Sequence, residues 1–586
     1  SRPNIGFIRH ILSKYSAFQY FPGARIVVRS PRTIPAIRSL GHAQAPPPRP
    51  HLNLILNLAV RTSPDSLPPC SEPAPGPYPR ALRGGGHALL TARYRPGTAE
   101  VLILRRGPLV HNGAVPNTSH PDSSGLNRQV LSLAVPALGA LIAEPLFVLA
   151  DSAMVGHLGA VSLAGLSLAS TILTTTVGLF VFLAYATTAT TARLFGAGRR
   201  TEGLRAGVDG MWLALLLGLG AGAFLGLTAP WLTAAMGADG AVAQAAVSYL
   251  RASCPGLPGM FVVLAATGVL RGLLDTRTPF VVATAGAVFN VVVNAILLYG
   301  VGMGIAGSGA GTAIAQTAMA LALAGPIARA ARAAGVGLLP HSQGLRASLG
   351  SGAPLLIRSV SLRVAILVTV WAATALGEVS LAAHQVVNAL WTFAAFALDA
   401  LAVAAQALIG TALGQAQRAD ADSAAPEADA LTEEEAGAAA ATAGWSIDEL
   451  LKRMLAWGAG TGVLIGVLMA AGAAWLPRAF TSDPGVIAAA TPTLLVAASA
   501  QPLAGVVFLL DGVLMGAGDG RYLARAGLVT LVPYVPLALL IGGGVLPGAD
   551  GATSGLVLVW IAFAWVFMAA RGTTTYLRSR GTAWRH

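Results

Sequence analysis

Residues 158–164 read LGAVSLA, and 218 positions later residues 376–382 read LGEVSLA. Further along the chain the offset between matching stretches rises to 244, as in the GVL of residues 268–270 and the GVL of residues 512–514. Matches in the same order at long range indicate that one structural unit occurs twice in the chain. Internal repeats of this size are typical of membrane transporters, in which two equivalent halves enclose the transported molecule.

The chain around these two copies is too apolar for a soluble domain. Of its 586 residues, 54% are hydrophobic and 11% are charged, whereas about a quarter are charged in a typical soluble protein. Apolar stretches long enough to cross a bilayer, which takes about 20 residues, recur twelve times, six in each copy. The sequence therefore predicts an all-α integral membrane protein with twelve transmembrane helices in two six-helix lobes, related by a parallel internal repeat.

The repeat and the composition together predict the domain boundaries. Residues 1–125 are basic and proline-rich, and we expect a disordered extension there, with a transit peptide as the alternative. The N-lobe takes residues 126–333 and the C-lobe residues 346–580. The rise in offset places an insertion in the C-lobe, where the acidic, alanine-rich stretch at about 417–446 is interpreted as a solvated cytoplasmic linker.

The basic residues predict the orientation in the membrane, because cytoplasmic connections carry an excess of arginine and lysine. Arginines follow the even-numbered spans: Arg199, Arg200 and Arg205 after span two, Arg271 and Arg277 after span four, Arg329 and Arg332 after span six, and Arg571, Arg578 and Arg580 after span twelve. Both termini are therefore expected in the cytoplasm. We predict a cell membrane, inner or cytoplasmic, with an organelle envelope as the alternative.

The net charge of +13 does not indicate nucleic-acid binding, because the excess sits in one place. Residues 1–128 hold 16 basic side chains against four acidic ones, which leaves 22 against 21 in the rest of the chain. We expect a monomer whose partners are a small organic substrate and membrane lipid, and no nucleic acid.

The sequence lacks the motifs of an ATP-driven or catalytic protein. Neither the P-loop G-x-x-x-x-G-K-[ST] nor H-E-x-x-H occurs, and each would place a phosphate or zinc site on recognisable residues. Two cysteines cannot make a metal cluster. We therefore predict no enzyme, no catalytic residues, no metal site and no cofactor.

Several motifs resemble those of the multidrug and toxic compound extrusion (MATE) transporters, in the branch of the DNA-damage-inducible protein F. They are EPL at 144–146, DSAMVGHLG at 151–159, ARLFGAG at 192–198, LRGLLDTRTP at 270–279, AAHQV at 382–386, and QP at 501–502 leading to Asp511. Their order extends over about residues 127–580. The resemblance implies twelve helices in two lobes and export driven by an inward flow of protons or sodium.

This sequence departs from the family pattern at one position that matters for ion coupling. Relatives often carry an acid in the fifth helix four residues after an asparagine, and here Asn294 follows Asn290. An amide cannot bind a proton at neutral pH, so coupling would depend more heavily on the first helix.

The function predicted is secondary active multidrug efflux, an antiport of organic and often cationic compounds against H⁺ or Na⁺ by alternating access. Three alternatives remain open at this point: a flippase, a related carrier that exports a specific metabolite or lipid-linked substrate, and a major-facilitator transporter. A flippase would need a strongly cationic cleft, whereas the residues proposed below for the cleft include both acidic and basic side chains.

Six ionisable side chains lie inside predicted spans, where each charge costs about 2.5–3.5 kcal/mol. We therefore expect them to face the bundle interior or the cleft. They are Glu144 and Asp151 in span one, Arg358 and Arg363 in span seven, Asp399 in span eight and Asp511 in span ten.

The predicted ion-coupling set is Asp151, Glu144, Asn290 and Asn294. Glu144 and Asp151 are seven residues apart, which returns to one face of a helix of about 3.6 residues per turn, so both should point into the N-lobe. Asp151 is the leading candidate, because a buried carboxyl can take up a proton near neutral pH. The alternative is a structural or capping hydrogen bond.

The remaining candidates are assigned to the substrate cleft. They are Tyr185, Thr188, Gln385, Asp399, Asp511, Arg358 and Arg363. For the polar residues the alternative is hydrogen bonding between packed helices. The two arginines are expected to pair with Asp399 or Asp511 in a structural network, and His384 is expected to be a hydrogen-bonded interior group.

Overall fold

The computed structural model of the protein describes residues 123–424, 445–549 and 551–585. The extension predicted for residues 1–125 lies outside the described residues apart from its last three positions. Within the described ranges the chain forms helices and turns, with no strand.

Twelve helical spans follow one another along the chain. In order they are α1 (Ser123–Gly156), α2 (Ala160–Gly196), α3 (Arg200–Ala235), α4 (Gly240–Gly272), α5 (Arg277–Gly300), α6 (Ile305–Ala333), α7 (Ser342–Ala375), α8 (Glu378–Ala424), α9 (Ile447–Gly472), α10 (Pro484–Ser499 with Gln501–Gly516), α11 (Gly520–Gly542) and α12 (Ala552–Arg580). Eleven are single helices long and apolar enough to cross a membrane, and the two segments of α10 make a twelfth span bent by 51°. The predicted fold class is confirmed.

The backbone shows the repeat as clearly as the sequence does. Gly159 before α2 and Gly377 before α8 have φ angles of 113° and 103°, a conformation that glycine adopts without steric cost. The bend of α10 comes at Ala500, and its equivalent in the other copy, Gly256, ends a short 3₁₀ turn that interrupts α4. Equivalent spans therefore break at equivalent residues.

The two lobes, α1–α6 and α7–α12, meet towards one end of the bundle, which we call the basic end. It is the end at which α2, α4, α6 and α12 finish. One apolar cluster runs through the N-lobe and continues there into Leu408, Leu450 and Leu514 of the C-lobe. The rest of the C-lobe has a separate cluster around Leu494 and Trp560.

Hydrogen bonds between the lobes also lie towards the basic end. Arg193 donates to the carbonyl of Ala517 at 3.0 Å, and Arg453 and Trp457 both donate to Asn127 at 3.0 Å. Among the described residues, such bonds lie between the middle of the bundle and the basic end. We infer that the cleft opens at the opposite end, which is outside the cell on the predicted orientation.

The acidic insertion begins later than the sequence predicted. Helix α8 continues to Ala424, so the first residues of the expected linker are helical, because an alanine-rich sequence favours helix even when it is charged. On the far side, Ser446 caps α9 in a reciprocal capping box with Glu449. Residues 425–444 lie outside the described residues.

Candidate functional site

Asp151 of α1 lies in a polar pocket inside the N-lobe. Its side chain is 3% exposed. Tyr249 of α4 donates to Oδ2 at 3.0 Å, Asn294 of α5 donates to Oδ1 at 2.9 Å, and Ser308 of α6 also bonds to Oδ1. The carboxyl group is therefore held by three helices, and all of its partners in the described chain are uncharged.

The pocket contains further polar atoms whose hydrogen bonds are not satisfied by the described residues. Asn290 accepts a bond from Asn294 at 3.1 Å, but its own amide nitrogen has no partner. The same is true of the amide oxygen of Asn294 and the hydroxyl of Thr312. Buried polar atoms without partners are costly, so the pocket is suited to a water molecule or a small cation beside Asp151.

Glu144 does not share this pocket, and the prediction that it points into the N-lobe together with Asp151 is wrong. Its side chain is exposed and makes no hydrogen bond to the described residues. The reason is that the two acids lie about 10 Å apart along one continuous helix. They therefore meet different neighbours, and α4, α5 and α6 enclose Asp151 but not Glu144. Nearer the basic end, Ala137 and Leu141 of α1 pack against α8, so Glu144 lies between the lobes.

A second cluster of charges lies in the C-lobe. Arg358 of α7 donates to Oδ2 of Asp511 at 2.5 Å, and Arg571 of α12 donates to the same oxygen. All three side chains are more than nine-tenths buried. The expected pairing of Arg358 with Asp511 is present, but the sequence had assigned Arg571 to a cytoplasmic connection.

Arg363 of α7 does not form the ion pair that the sequence predicted for it. It pairs with neither Asp399 nor Asp511. Instead its guanidinium lies against Gly178 of α2, where a Cβ atom would come within 2.1 Å of Nη2. Because Arg363 is five residues beyond Arg358, it points to a different side of α7 and crosses to the other lobe.

Tyr185 and Asp399 come together across the two lobes. The Tyr185 hydroxyl lies 3.4 Å from Oδ2 of Asp399, and the carbonyl of Tyr185 accepts a bond from Gln406 at 2.8 Å. Asp399 also lies within electrostatic range of Arg271, Arg358 and Arg571. Arg271 had been assigned to a cytoplasmic turn, yet it is buried at the end of α4.

The remaining cleft candidates do not join this group. Thr188 is fully buried, and its hydroxyl bonds to the carbonyl of Ala184 in its own helix at 2.8 Å, so it does not line a cleft. Gln385 is exposed on α8. His384 is buried against Trp560, with ring centroids 5.7 Å apart, but neither ring nitrogen has a partner among the described residues, so the expected interior hydrogen bond is missing.

Sequence reasoning missed five residues of these clusters: Tyr249, Ser308, Thr312, Arg271 and Arg571. Tyrosine, serine and threonine are common in membrane helices, so nothing in their local sequence singles them out. Arg571 lies near a helix end and follows the positive-inside pattern. Only the packing of α12 against α10 shows that it is a partner of Asp511.

Two cavities lie between the lobes at the basic end. The larger has a volume of about 700 Å³ between α2, α3 and α7, and the smaller has about 370 Å³ between α2, α7, α8 and α10. Ala186, Thr190, Leu194 and Ser351 line both. A cavity of several hundred Å³ with mostly apolar walls fits a drug-sized organic molecule.

A helical membrane protein with two repeated lobes, a cleft between them and charged groups buried at their junction is a membrane transporter. The MatE family model matches residues 136–296 in the first lobe and 445–540 in the second. Both lobes therefore match the multidrug and toxic compound extrusion family of efflux transporters, as the motifs predicted, and the relatives and solved structures that match this chain are transporters rather than enzymes. The major-facilitator alternative is wrong.

Individual relatives support this assignment. Protein DETOXIFICATION 44, chloroplastic, of Arabidopsis thaliana is 28% identical over 473 residues, covering 78% of this chain and 83% of that protein. DNA damage-inducible protein F of Escherichia coli is 30% identical over 291 residues, covering 48% of this chain and 62% of that protein. The Vibrio cholerae MATE transporter VcmN in its bent form shares the fold, with a TM-score of 0.65 and 21% identity over 79% of this chain and 99% of that one.

Proposed function

We propose that this protein is an antiporter that expels organic compounds by alternating access, driven by an inward flow of H⁺ or Na⁺. In this proposal Asp151 is the group that binds the coupling ion. Asn290 and Asn294 shape its pocket, while Tyr185 and Asp399 belong to the junction between the lobes.

The observation that carries the proposal is the setting of Asp151. A carboxylate inside a membrane is stable only when it is paired, neutralised or in contact with water. Asp151 has no basic partner in the described chain, and its contacts are hydroxyl and amide groups. Such a pocket can hold the carboxyl group either protonated or beside a cation, so its charge can change during transport.

Both coupling ions fit the pocket. A proton would bind to Asp151 alone in this pocket, because its neighbours Asn290 and Asn294 are amides. A sodium ion would need oxygen ligands, and Asp151 could supply them together with the unsatisfied oxygens of Asn294 and Thr312. We therefore leave the ion to experiment.

The test is efflux of a fluorescent organic compound from liposomes that contain the purified protein, under an imposed pH gradient or an imposed sodium gradient. Wild type should respond to one of the two gradients, and Asp151→Asn should respond to neither. Asp275→Asn is the control, because Asp275 is also an N-lobe carboxylate but lies in the turn before α5, where it accepts bonds from the backbone of Arg277 and Thr278. Gradient-driven efflux that is unchanged in Asp151→Asn would remove Asp151 from the mechanism.

The flippase alternative stays open because arginines are frequent at the junction of the lobes. It predicts exchange of a fluorescent lipid between the leaflets of the same liposomes. We propose the monomer as the functional unit, which crosslinking in the same liposomes would check, and we propose membrane lipid and a small organic substrate as its partners.

We propose the cell membrane as the location, with both termini on its cytoplasmic side. An organelle envelope is the alternative, and the name of DETOXIFICATION 44 describes that relative as chloroplastic. Imaging a full-length fluorescent fusion in the cell of origin decides between the two membranes.

A further inference from the structure

A group of charged side chains lies near the junction of the two lobes. The cations are Arg271, Arg358, Arg363 and Arg571, and the acids are Glu144, Asp399 and Asp511. An arginine of this group that has no carboxylate partner is available to a ligand.

Three of the arginines have a carboxylate nearby. Arg358 and Arg571 share one oxygen of Asp511, and Arg271 lies within electrostatic range of Asp399. These charges stabilise one another within the protein. They leave Arg363 as the arginine of this group that has no carboxylate partner among the described residues.

The position of Arg363 makes its unpaired charge unusual. Gly178 is the middle residue of α2 (Ala160–Gly196), so the guanidinium that lies against it is far from both ends of that span. Arg363 is half-buried and has neither an ion pair nor a hydrogen bond to the described residues. An unpaired charge inside a span is costly, and such residues mark substrate or ion pathways.

The side chain is also held in place. Gly178 leaves room for the guanidinium, since a Cβ atom there would overlap it. Arg363 lies about 7.5 Å beyond Arg358 along α7, at a rise of about 1.5 Å per residue, and this direction leads away from the basic end towards the open cleft. Its five N–H donors are therefore available to a molecule that enters the cleft.

We propose that Arg363 binds the anionic group of the exported compound, and that this transporter carries organic acids with a single carboxylate. The inference rests on the proposed function and narrows its substrate class. One arginine without a carboxylate partner matches one carboxylate, whereas a pyrophosphate headgroup would need a more cationic site. A planar guanidinium suits a carboxylate because it can donate two parallel hydrogen bonds.

The first test is binding to the purified protein in detergent, with no gradient present. Three dansyl compounds share one fluorophore: dansylglycine carries a carboxylate, dansylcadaverine an ammonium group and dansylamide no charge. Wild type should bind dansylglycine at least about tenfold more tightly than the other two, because a hydrogen bond to a charged group contributes enough for that ratio. Equal binding of the three, or preference for dansylcadaverine, would overturn the inference without any variant.

The second test uses variants of one helix. Arg363→Gln should lose the preference for dansylglycine, and Arg363→Lys, which keeps the charge but not the planar fork, should lose less. Arg346→Gln is the matched control, because Arg346 is an exposed arginine of α7 near the basic end. Tight dansylglycine binding that persists in Arg363→Gln contradicts the assignment of Arg363.

Transport of the same probes separates this inference from the proposed function. If a gradient drives dansylcadaverine but not dansylglycine, the antiport stands and the substrate class is wrong. If dansylglycine binds through Arg363 but no ion gradient moves it, the substrate class stands and the antiport fails.

Discussion

The two lobes share a backbone but differ in the polar groups that they bury at equivalent positions. In the N-lobe, α1 and α5 bring Asp151 against Asn294 and Asn290. At the offsets of 218 and 244, the residues equivalent to Asp151 and Asn290 in the C-lobe are Thr369 and Tyr534. These two hydroxyls lie 2.5 Å apart and are buried.

The ionic cluster shows the opposite distribution. Asp511 and Arg358 of the C-lobe correspond to Thr267 and Ala140 of the N-lobe, so the network has no counterpart there. The comparison indicates that two lobes with the same backbone arrangement have different roles. One lobe holds a single carboxyl group among uncharged partners, and the other holds two arginines that are paired with one carboxylate.

The largest expected effect tests this difference in roles directly. Asp151→Asn should reduce gradient-driven efflux to the level of empty liposomes, because an amide of nearly the same shape cannot bind a proton. The equivalent change in the other lobe, Thr369→Val, should leave efflux close to wild type. Loss of coupling in both variants would show that the ion site extends over both lobes.

A large loss of stability is expected in the C-lobe. Asp511→Asn leaves Arg358 and Arg571 buried without their carboxylate, and breaking a buried ion pair in this way costs about 3–5 kcal/mol. Thermal unfolding in detergent should show it as a lower midpoint. Asp519→Asn is the control, because its pair with Arg578 is partly exposed and contributes about 1 kcal/mol or less.

A smaller loss of stability, equal in the two lobes, is expected when equivalent glycines are changed, because the helices of both lobes pack in the same way. Gly268 of α4 and Gly512 of α10 are equivalent. A Cβ atom would come within 2.5 Å of the carbonyl of Ala184 at the first and 2.4 Å of the carbonyl of Ala402 at the second. Each glycine→Ala change should cost about 1–3 kcal/mol through overpacking, again measured by thermal unfolding.

The control for these two variants is Gly325→Ala in α6, where a Cβ atom meets nothing within 4 Å. This variant should match wild type. A marked difference between Gly268→Ala and Gly512→Ala would mean that the lobes respond differently to the same steric change, which contradicts the same packing in both lobes.

The smallest effect expected is that of Tyr534→Phe, which removes the hydroxyl bonded to Thr369. Loss of one such hydrogen bond costs about 1 kcal/mol, and gradient-driven efflux should be unchanged. The measurement is the unfolding midpoint together with transport. A change in ion coupling would assign the C-lobe pair a role in the mechanism.

Much of the fold could be read from the sequence, because a bilayer imposes a simple rule: a span needs a long apolar stretch whose backbone is satisfied within the helix. The two offsets located both copies and predicted that they would have the same construction. The limits of the insertion were less predictable, since alanine-rich acidic sequence fits both a linker and the continuation of a helix.

The candidate site was only partly predictable. Asp151, Asn290 and Asn294 stood out because ionisable and amide groups are rare inside spans, and the structure brings them together. Tyr249 and Ser308 did not stand out, because hydroxyl groups are ordinary in membrane helices. Glu144 was misplaced because a shared helix face does not give two residues the same neighbours when they lie about 10 Å apart along the axis.

The amino-acid sequence by itself determined the number of spans, the repeat and the residues that must avoid lipid, since each of these follows from local hydrophobicity and charge. The tertiary structure decided which of those residues meet. Asp511 was expected to bind Arg358 or Arg363, and only the packing of α7, α10 and α12 chose Arg358 with Arg571 and left Arg363 facing the other lobe. Partnerships over 60 and 153 residues of sequence separation depend on how helices pack, and no local pattern encodes that.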